Sequence, residues 1–346
     1  MEEEYNVKIV LESRPGKEYP EKDCFQITYG KPPTESEVKV DQILVRVKFI
    51  SIDASMRVWI SGAKTYMDPV NPGDVMPASC IGEVVFSRSP DLNKGDLVLG
   101  LMKWQKYLIL DRKGLMKVPK EYPNPEHFLG VLGTNGLTAY FGMFDIGKPQ
   151  KGETVVVSAA AGAVGQIAVQ LAKSVGARVI GMAGSKDKCE FVKSLGADEC
   201  INYKEDDIFK KLKEYCPKGI DVYFDNVGGE ILDLCLLLVR DHCRIVMCGA
   251  ISGYNSTKPY AIKNYQRLII KKGLMQGFIV MDYAKRYKEA IAYLGNLISK
   301  NQLKHTEDVL YGLDSAPRGL RRLIGGDNTG KVIIKCDYPE KQQPKL

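Results

Sequence analysis

Thr154-Val155-Val156-Val157-Ser158-Ala159-Ala160-Ala161-Gly162-Ala163-Val164-Gly165 is the stretch whose reading decides the fold of this chain. The β-branched run from Thr154 to Val157 suits a buried parallel strand. The small residues after it let the backbone turn sharply. Val164, Ile167, Ala168, Leu171, Ala172 and Val175 then fall on one face of a 3.6-residue period. The stretch reads as strand, tight turn and helix. The first N–H groups of such a helix lack intrahelical partners, and the helix dipole adds positive potential there, so the turn suits a pyrophosphate. Ala160, Gly162 and Gly165 form a dinucleotide fingerprint with Ala in its first position. The same residues also fit a βα turn with no ligand, so the flanking sequence has to decide.

Downstream of the turn, apolar strands alternate with amphipathic helices. The strands fall at Thr154–Ser158, Ala177–Ala183, Glu199–Asn202, Asp221–Asp225 and Arg244–Cys248. Helices fall at Ala163–Val175, Lys186–Leu195, Ile208–Tyr215 and Glu230–Leu238, with another at Arg286–Lys300. This alternation predicts an α/β, doubly wound parallel sheet. Upstream the texture is different. Asp41–Ile52 alternates at period two, Cys80–Phe86 and Asp96–Leu101 are further strands, and Gly and Pro punctuate them. A small antiparallel barrel or sandwich is expected there. The texture changes near Tyr122-Pro123-Asn124-Pro125, ahead of a loop and helix over Leu132–Phe141. Residues 316–335 read as a helix, a Gly-rich turn and a strand, Lys331–Lys335, expected to rejoin the amino-terminal domain.

Bulk properties narrow the class. A chain of 346 residues suits two domains, at about 100–200 residues each. The net charge of +7 is spread out, with no basic run interleaved with aromatics, so nucleic acid is not implied. The nine cysteines include no C-x-x-C pair, so neither a zinc ribbon nor a redox motif is suggested, and reduced thiols in a cytoplasmic protein are expected. The start, Glu2-Glu3-Glu4, is unlike a secretory leader, and no apolar run approaches the roughly 18 residues of a membrane span. The ending Pro344-Lys345-Leu346 is a loose relative of the peroxisomal S-K-L signal.

Two strand ends carry the chemistry. NAD-binding folds place a carboxylate roughly 20 residues past the glycine turn. Here the second strand ends in Gly184-Ser185-Lys186-Asp187-Lys188, with no acid at its tip. Ser185 can donate to a phosphate and Lys186 or Lys188 can neutralise one, which favours NADP. The fourth strand ends in Asp225-Asn226-Val227-Gly228-Gly229 and the fifth in Cys248-Gly249-Ala250-Ile251-Ser252-Gly253-Tyr254. Ligands gather outside the carboxyl ends of such strands, so Asn226 is a candidate for a ribose or amide and Tyr254 for the nicotinamide.

On these residues the chain resembles the medium-chain dehydrogenase/reductase superfamily, and within it the zinc-independent leukotriene/prostaglandin reductases and plant double-bond reductases. The matching segments are residues 155–173, 183–191, 201–204, 221–230, 247–255, 277–280 and 326–335, with looser matches at 51–57 and 132–140. The resemblance implies a GroES-like β-barrel domain over residues 1–130, completed by 304–346, and a Rossmann domain over 131–303. It implies NADPH held at Gly162, Ala163, Val164 and Gly165, with Ser185 and Lys188 at the 2′-phosphate and Tyr203 near the adenosine. Asn226, Cys248, Gly249, Ala250, Ile251, Ser252, Tyr254, Phe278, Ile279, Val280 and Asn328 would line the ribose and nicotinamide.

Zinc members carry a G-H-E segment and a four-cysteine lobe. Neither is present, no histidine precedes a Glu, and no metal is expected. Without a Lewis acid, reduction of an activated C=C bond is the expected reaction: hydride adds to the β-carbon of an enal, an enone or a 15-oxo-prostaglandin-like lipid, with Tyr254 as the catalytic residue. A quinone reductase is the alternative enzyme, and an NADPH-binding protein without catalysis is the alternative of another class. Relatives often have P-Y-M-R where this chain has Ala54-Ser55-Met56-Arg57, and G-M-P-G where it has Gly133-Thr134-Asn135-Gly136. Ser55, Thr134 and Tyr66 are the expected substrate-pocket residues. A homodimer is expected from the resemblance, and no membrane or nucleic-acid partner.

Overall fold

The computed structural model describes residues 5–336, apart from 17, 18, 20–22 and 257. The acidic start Glu2–Glu4 and the ending Pro344–Leu346 lie outside the described residues. The chain forms two compact units, one of residues 1–129 with 308–346 and one of residues 130–307.

The first unit begins with β1 (Asn6–Leu11) and β2 (Phe25–Gly30), an antiparallel ribbon. Next come β3 (Gln42–Ser51), the short helix α1 (Met56–Trp59), β4 (Pro77–Ser87), β5 (Leu97–Lys103), β6 (Tyr107–Asp111) and β7 (Met116–Lys117). The alternation read over 41–52 is real: Ile43, Val45 and Val47 point into the core with Ile9, Met76 and Trp104. Strand β3 is the hub, antiparallel to both β4 and β6.

The second unit opens with α2 (Thr134–Phe141), followed by a wide π turn over Gly142–Gly147. It continues as β8 (Thr154–Val157), α3 (Gly165–Ser174), β9 (Arg178–Ala183), α4 (Lys186–Ser194), β10 (Glu199–Asn202), α5 (Ile208–Tyr215), β11 (Ile220–Asp225), α6 (Gly229–Leu237), β12 (Val239–Met247), α7 (Arg267–Ile270), β13 (Leu274–Gly277) and α8 (Tyr287–Ser299). The strands form one parallel sheet in the order β10-β9-β8-β11-β12-β13. That is the Rossmann order, and its direction reverses between β8 and β11, the switch point outside whose carboxyl ends folds of this kind bind their ligands.

Two strands of this parallel sheet differ from the sequence expectation. Strand β12 starts at Val239, five residues before the expected Arg244, because the exposed segment Arg240–His242 masks its apolar signal. Strand β13 was not expected at all. It has four residues, all exposed, and carries no periodicity.

The tail supplies β14 (Glu307–Tyr311), α9 (Ala316–Gly325) and β15 (Lys331–Lys335). As expected, the last strand returns to the first unit: β15 runs antiparallel to β3, with Ile333 opposite Ser51 and Lys335 opposite Phe49. The resulting seven-stranded sheet runs β14-β15-β3-β4-β5-β7, with β6 also paired to β3. Among the described residues no helix is long and apolar enough to cross a membrane.

Candidate functional site

Strand β8 is buried throughout and sits between β9 and β11. The chain leaves it at Ser158 and turns at Ala159, which takes the left-handed step (φ 47°) that the sequence would sooner assign to a glycine. The glycines serve close approach instead. A Cβ on Gly165 would lie 2.2 Å from the Ala159 carbonyl oxygen and 2.7 Å from the Ala160 Cα, so only glycine lets α3 start against the turn. Helix α3 begins at Gly165, two residues later than expected, leaving Gly162, Ala163 and Val164 half-buried before its first turn. Gln166 and Gln170 fix the helix: their side-chain oxygens accept from the backbone N–H groups of Thr306 (2.9 Å) and Lys304 (2.8 Å).

At the tip of β9, Ser185 caps α4. Its hydroxyl oxygen accepts from the Lys188 N–H at 3.3 Å, so Ser185 organises the helix start as well as offering a hydroxyl proton. Lys186 is exposed and Lys188 half-buried. Tyr203, just past β10, lays its ring on Gly184: a Cβ there would lie 2.6 Å from the phenol oxygen. The second strand tip therefore presents a hydroxyl and two lysines, with the Tyr203 phenol beside Gly184.

The third component is pinned by Asp225, fully buried at the end of β11. Its Oδ1 accepts from the Tyr223 hydroxyl (2.8 Å), the Val227 N–H (2.9 Å), the Gly228 N–H (2.8 Å) and the Ser158 hydroxyl (3.2 Å). Burial raises the pKa of this carboxyl, and the four donors oppose the shift. Ser158 completes the tie. Its oxygen accepts from the Asn226 N–H (2.9 Å), and Asn226 Nδ2 donates to the Ser158 carbonyl (2.7 Å). The end of β11 is thereby stitched to the start of the glycine turn. Sequence reasoning named Asn226 and passed over Asp225. The available signal was an Asp whose carboxylate can receive the N–H groups two and three residues on, a local turn-former's pattern.

The segment after β12 docks on the same tip. Cys248 N–H and Gly249 N–H donate to the Asp225 carbonyl (2.9 and 3.0 Å), Ile251 N–H to Asn226 O (3.3 Å), and the Ser252 hydroxyl to Val227 O (2.6 Å). The half-buried Tyr254 brings its hydroxyl within 3.4 Å of the Ala250 N–H. Burial pushes the Cys248 thiol up to about 12, so it stays neutral. Phe278, Ile279 and Val280 follow β13 and are half-buried. Phe278 packs where a Cβ on Gly142 would be, 2.9 Å from its ring.

The second unit thus gathers Gly162 to Gly165, Asn226 and Cys248 to Tyr254 at the carboxyl ends of β8, β11 and β12. Thr134, the first residue of α2, is exposed. The remaining candidates belong to the first unit. Ser55 is half-buried ahead of α1, Tyr66 is 53% exposed in a loop, and Asn328 is buried with its Nδ2 donating to Gly330 O at 2.9 Å.

Two family descriptions match the chain: "Zinc-binding dehydrogenase" over residues 163–296 and "N-terminal domain of oxidoreductase" over residues 8–118. An NADPH-dependent curcumin reductase of Escherichia coli is 39% identical over 338 residues, 95% of this chain and 96% of that one. A 2-alkenal reductase (NADP(+)-dependent) of Nicotiana tabacum is 37% identical over 319 residues, 87% of this chain and 93% of that one. The crystal structure of CurA in complex with NADPH from Vibrio vulnificus superposes with a TM-score of 0.90 at 37% identity, covering 96% of this chain and all (100%) of that one. Likeness of this depth across both units, joined to the Rossmann strand order and the glycine turn, shows that the chain belongs to the zinc-independent medium-chain dehydrogenase/reductase family.

Proposed function

We propose that this protein is an NADPH-dependent reductase of the C=C bond in α,β-unsaturated aldehydes and ketones, medium-chain enals and enones first among them. The observation that carries this reading is the Cys248–Tyr254 segment, held on the Asp225–Val227 tip next to a turn whose close approach at Gly165 only glycine allows. The residues fit the cofactor. The amides of Ala163, Val164 and Gly165 would take the pyrophosphate at the start of α3, a ten-residue helix, with Gly162 beside them, its own N–H donating to the Ala159 carbonyl (2.9 Å). Ser185 and Lys188 would hold the 2′-phosphate and Tyr203 would stack near the adenosine. Asn226, Cys248 to Tyr254, Phe278 to Val280 and Asn328 would face the ribose and nicotinamide. Bound NADPH supplies the hydride.

The chain's own part is to orient the substrate and manage charge. As the β-carbon is reduced, negative charge develops on the carbonyl oxygen. The Tyr254 hydroxyl is proposed to donate a hydrogen bond to that oxygen, which lowers the barrier. The α-carbon then takes a proton from Tyr254 or water. Ser55, Tyr66 and Thr134 are proposed to contact the rest of the substrate. A side-by-side assay tests this reading: a medium-chain enal is expected to be turned over with NADPH at least about tenfold more efficiently than a benzoquinone. Quinone turnover without enal reduction would replace it with a quinone reductase, and no NADPH oxidation by any unsaturated carbonyl would leave a cofactor-binding protein.

A homodimer is proposed on a separate observation. Strand β13 is the outer strand of its sheet and every residue in it is exposed. Ile269, Ile270, Leu274 and Met275 all show large exposed apolar side chains around it. An open apolar edge of this kind is suited to pairing with a second copy. Sedimentation is expected to give twice the 38.5 kDa chain mass, and Leu274→Lys to shift it toward the monomer. A monomeric wild type would remove the proposal. A cytoplasmic setting is proposed on the nine free thiols.

A further inference from the structure

Lys331, the first residue of β15, is 2% exposed. Its ammonium donates to the Ile52 carbonyl and to Asp53 Oδ1, each at 2.6 Å. Asp53 is fixed in turn by the Ser51 hydroxyl, which donates to its other oxygen. Burial lowers the Lys331 pKa and Asp53 opposes the shift. A buried ammonium is expensive unless it is paired and hydrogen-bonded, and an apolar side chain would fill the same volume at less cost. Packing alone therefore does not account for a lysine here.

What the pair holds is more telling. Ile52 N–H already donates to Val332 O (3.1 Å), so the backbone beside Lys331 is tied down without it. The ammonium adds a hold on the next residue. Asp53 O receives the Met56 N–H (3.0 Å) and Ala54 O the Arg57 N–H (3.1 Å), the bonds that start α1. Ala54 and Ser55 lie between them. On the other side, Asn328 donates to Gly330 O, one residue before Lys331. One ion pair thus joins the turn that carries Asn328 to the segment that carries Ser55.

We propose that Lys331 is a positioning residue for substrate: through Asp53 it fixes the Ala54–Ser55 segment at the start of α1, without itself touching substrate or cofactor. The proposal rests on the reading of Ser55 as part of the substrate site.

The test uses Lys331→Met, which removes the charge and keeps the stem, and Asp53→Asn, which keeps the size and weakens the pair. In each, KM for a medium-chain enal is expected to rise about tenfold or more, because a loosened positioning group costs alignment. At saturating enal kcat should stay within about threefold, and the NADPH dissociation constant within about twofold. The double variant should cost little more than either single one, since both break the same link. A lowered melting temperature with KM unchanged would make the pair merely structural and overturn the proposal. If Lys331→Met fails to fold, Asp53→Asn alone decides. Failure of the enal-reductase reading is recognised separately, by a wild type that does not turn over enals. In that event Trp59 on α1 serves as reporter, in a Trp104→Phe background that leaves it as the sole tryptophan. A shifted Trp59 emission in Asp53→Asn supports the positioning, and an unshifted one overturns it.

Discussion

Tyr254→Phe is expected to lower kcat for enal reduction by about 10²–10³-fold while leaving NADPH affinity within about twofold. The substitution keeps the ring and removes one hydroxyl. In the structure that hydroxyl accepts a long bond from the Ala250 N–H (3.4 Å). The segment itself is held elsewhere, by Cys248, Gly249, Ile251 and Ser252 on Asp225, Asn226 and Val227. The loop should therefore survive the change, and the loss should fall on the step in which charge reaches the carbonyl oxygen. Steady-state rates with a tight NADPH titration separate the two. A variant as fast as the wild type removes Tyr254 from catalysis and passes the oxyanion role to a ribose hydroxyl.

Lys188→Ala is expected to weaken NADPH by about 10- to 100-fold and NADH by less than about twofold, as befits a charge-assisted bond to a phosphate that only one cofactor carries. Lys188 sits in the first turn of α4, where Ser185 already fixes its backbone through the cap at 3.3 Å. Alanine keeps that cap, because the bond uses the main chain. The penalty should shrink as salt is raised. Fluorescence titration of both cofactors at two ionic strengths checks all three statements. Equal losses for NADPH and NADH would reject the 2′-phosphate role and leave Lys188 as a solvated face of the helix.

Much of the fold is legible because its signals are local and periodic. Thr154–Val157, the helix stripe from Ile167 to Ala172 and the alternation at 41–52 each declare their element within a dozen residues. Strand β13 declares nothing: Leu274-Met275-Gln276-Gly277 is short, exposed and at an edge, so neither burial nor period marks it. At the candidate site, the glycine turn could be read, but not that Ala159 takes the left-handed step, since three alanines in a row look alike. Asn226 could be named from its strand tip. Asp225 organises that tip from below, and one of its four donors is Ser158, just past the end of a different strand, which sequence does not bring together. The Lys331–Asp53 pair is hidden for the same reason. Its partners lie at opposite ends of the chain and meet only because β15 folds back on β3. The substrate side is the least legible, because Ser55, Tyr66 and Thr134 stand in or beside loops whose course no short-range rule dictates.

That return of β15 to β3 also sets an order of events during synthesis. Residues 130–307 form one uninterrupted unit and are free to fold as they leave the ribosome. The first unit is made earlier yet cannot be finished, because the strand that belongs beside Ser51 is still to be translated. Until Lys331–Lys335 emerges, β3 presents unpaired N–H and C=O groups along that edge, an open template for another chain. The segment born first is therefore the last to close. In a newborn chain the edge of β3 beside Ser51 therefore stays open until the last strand has been made.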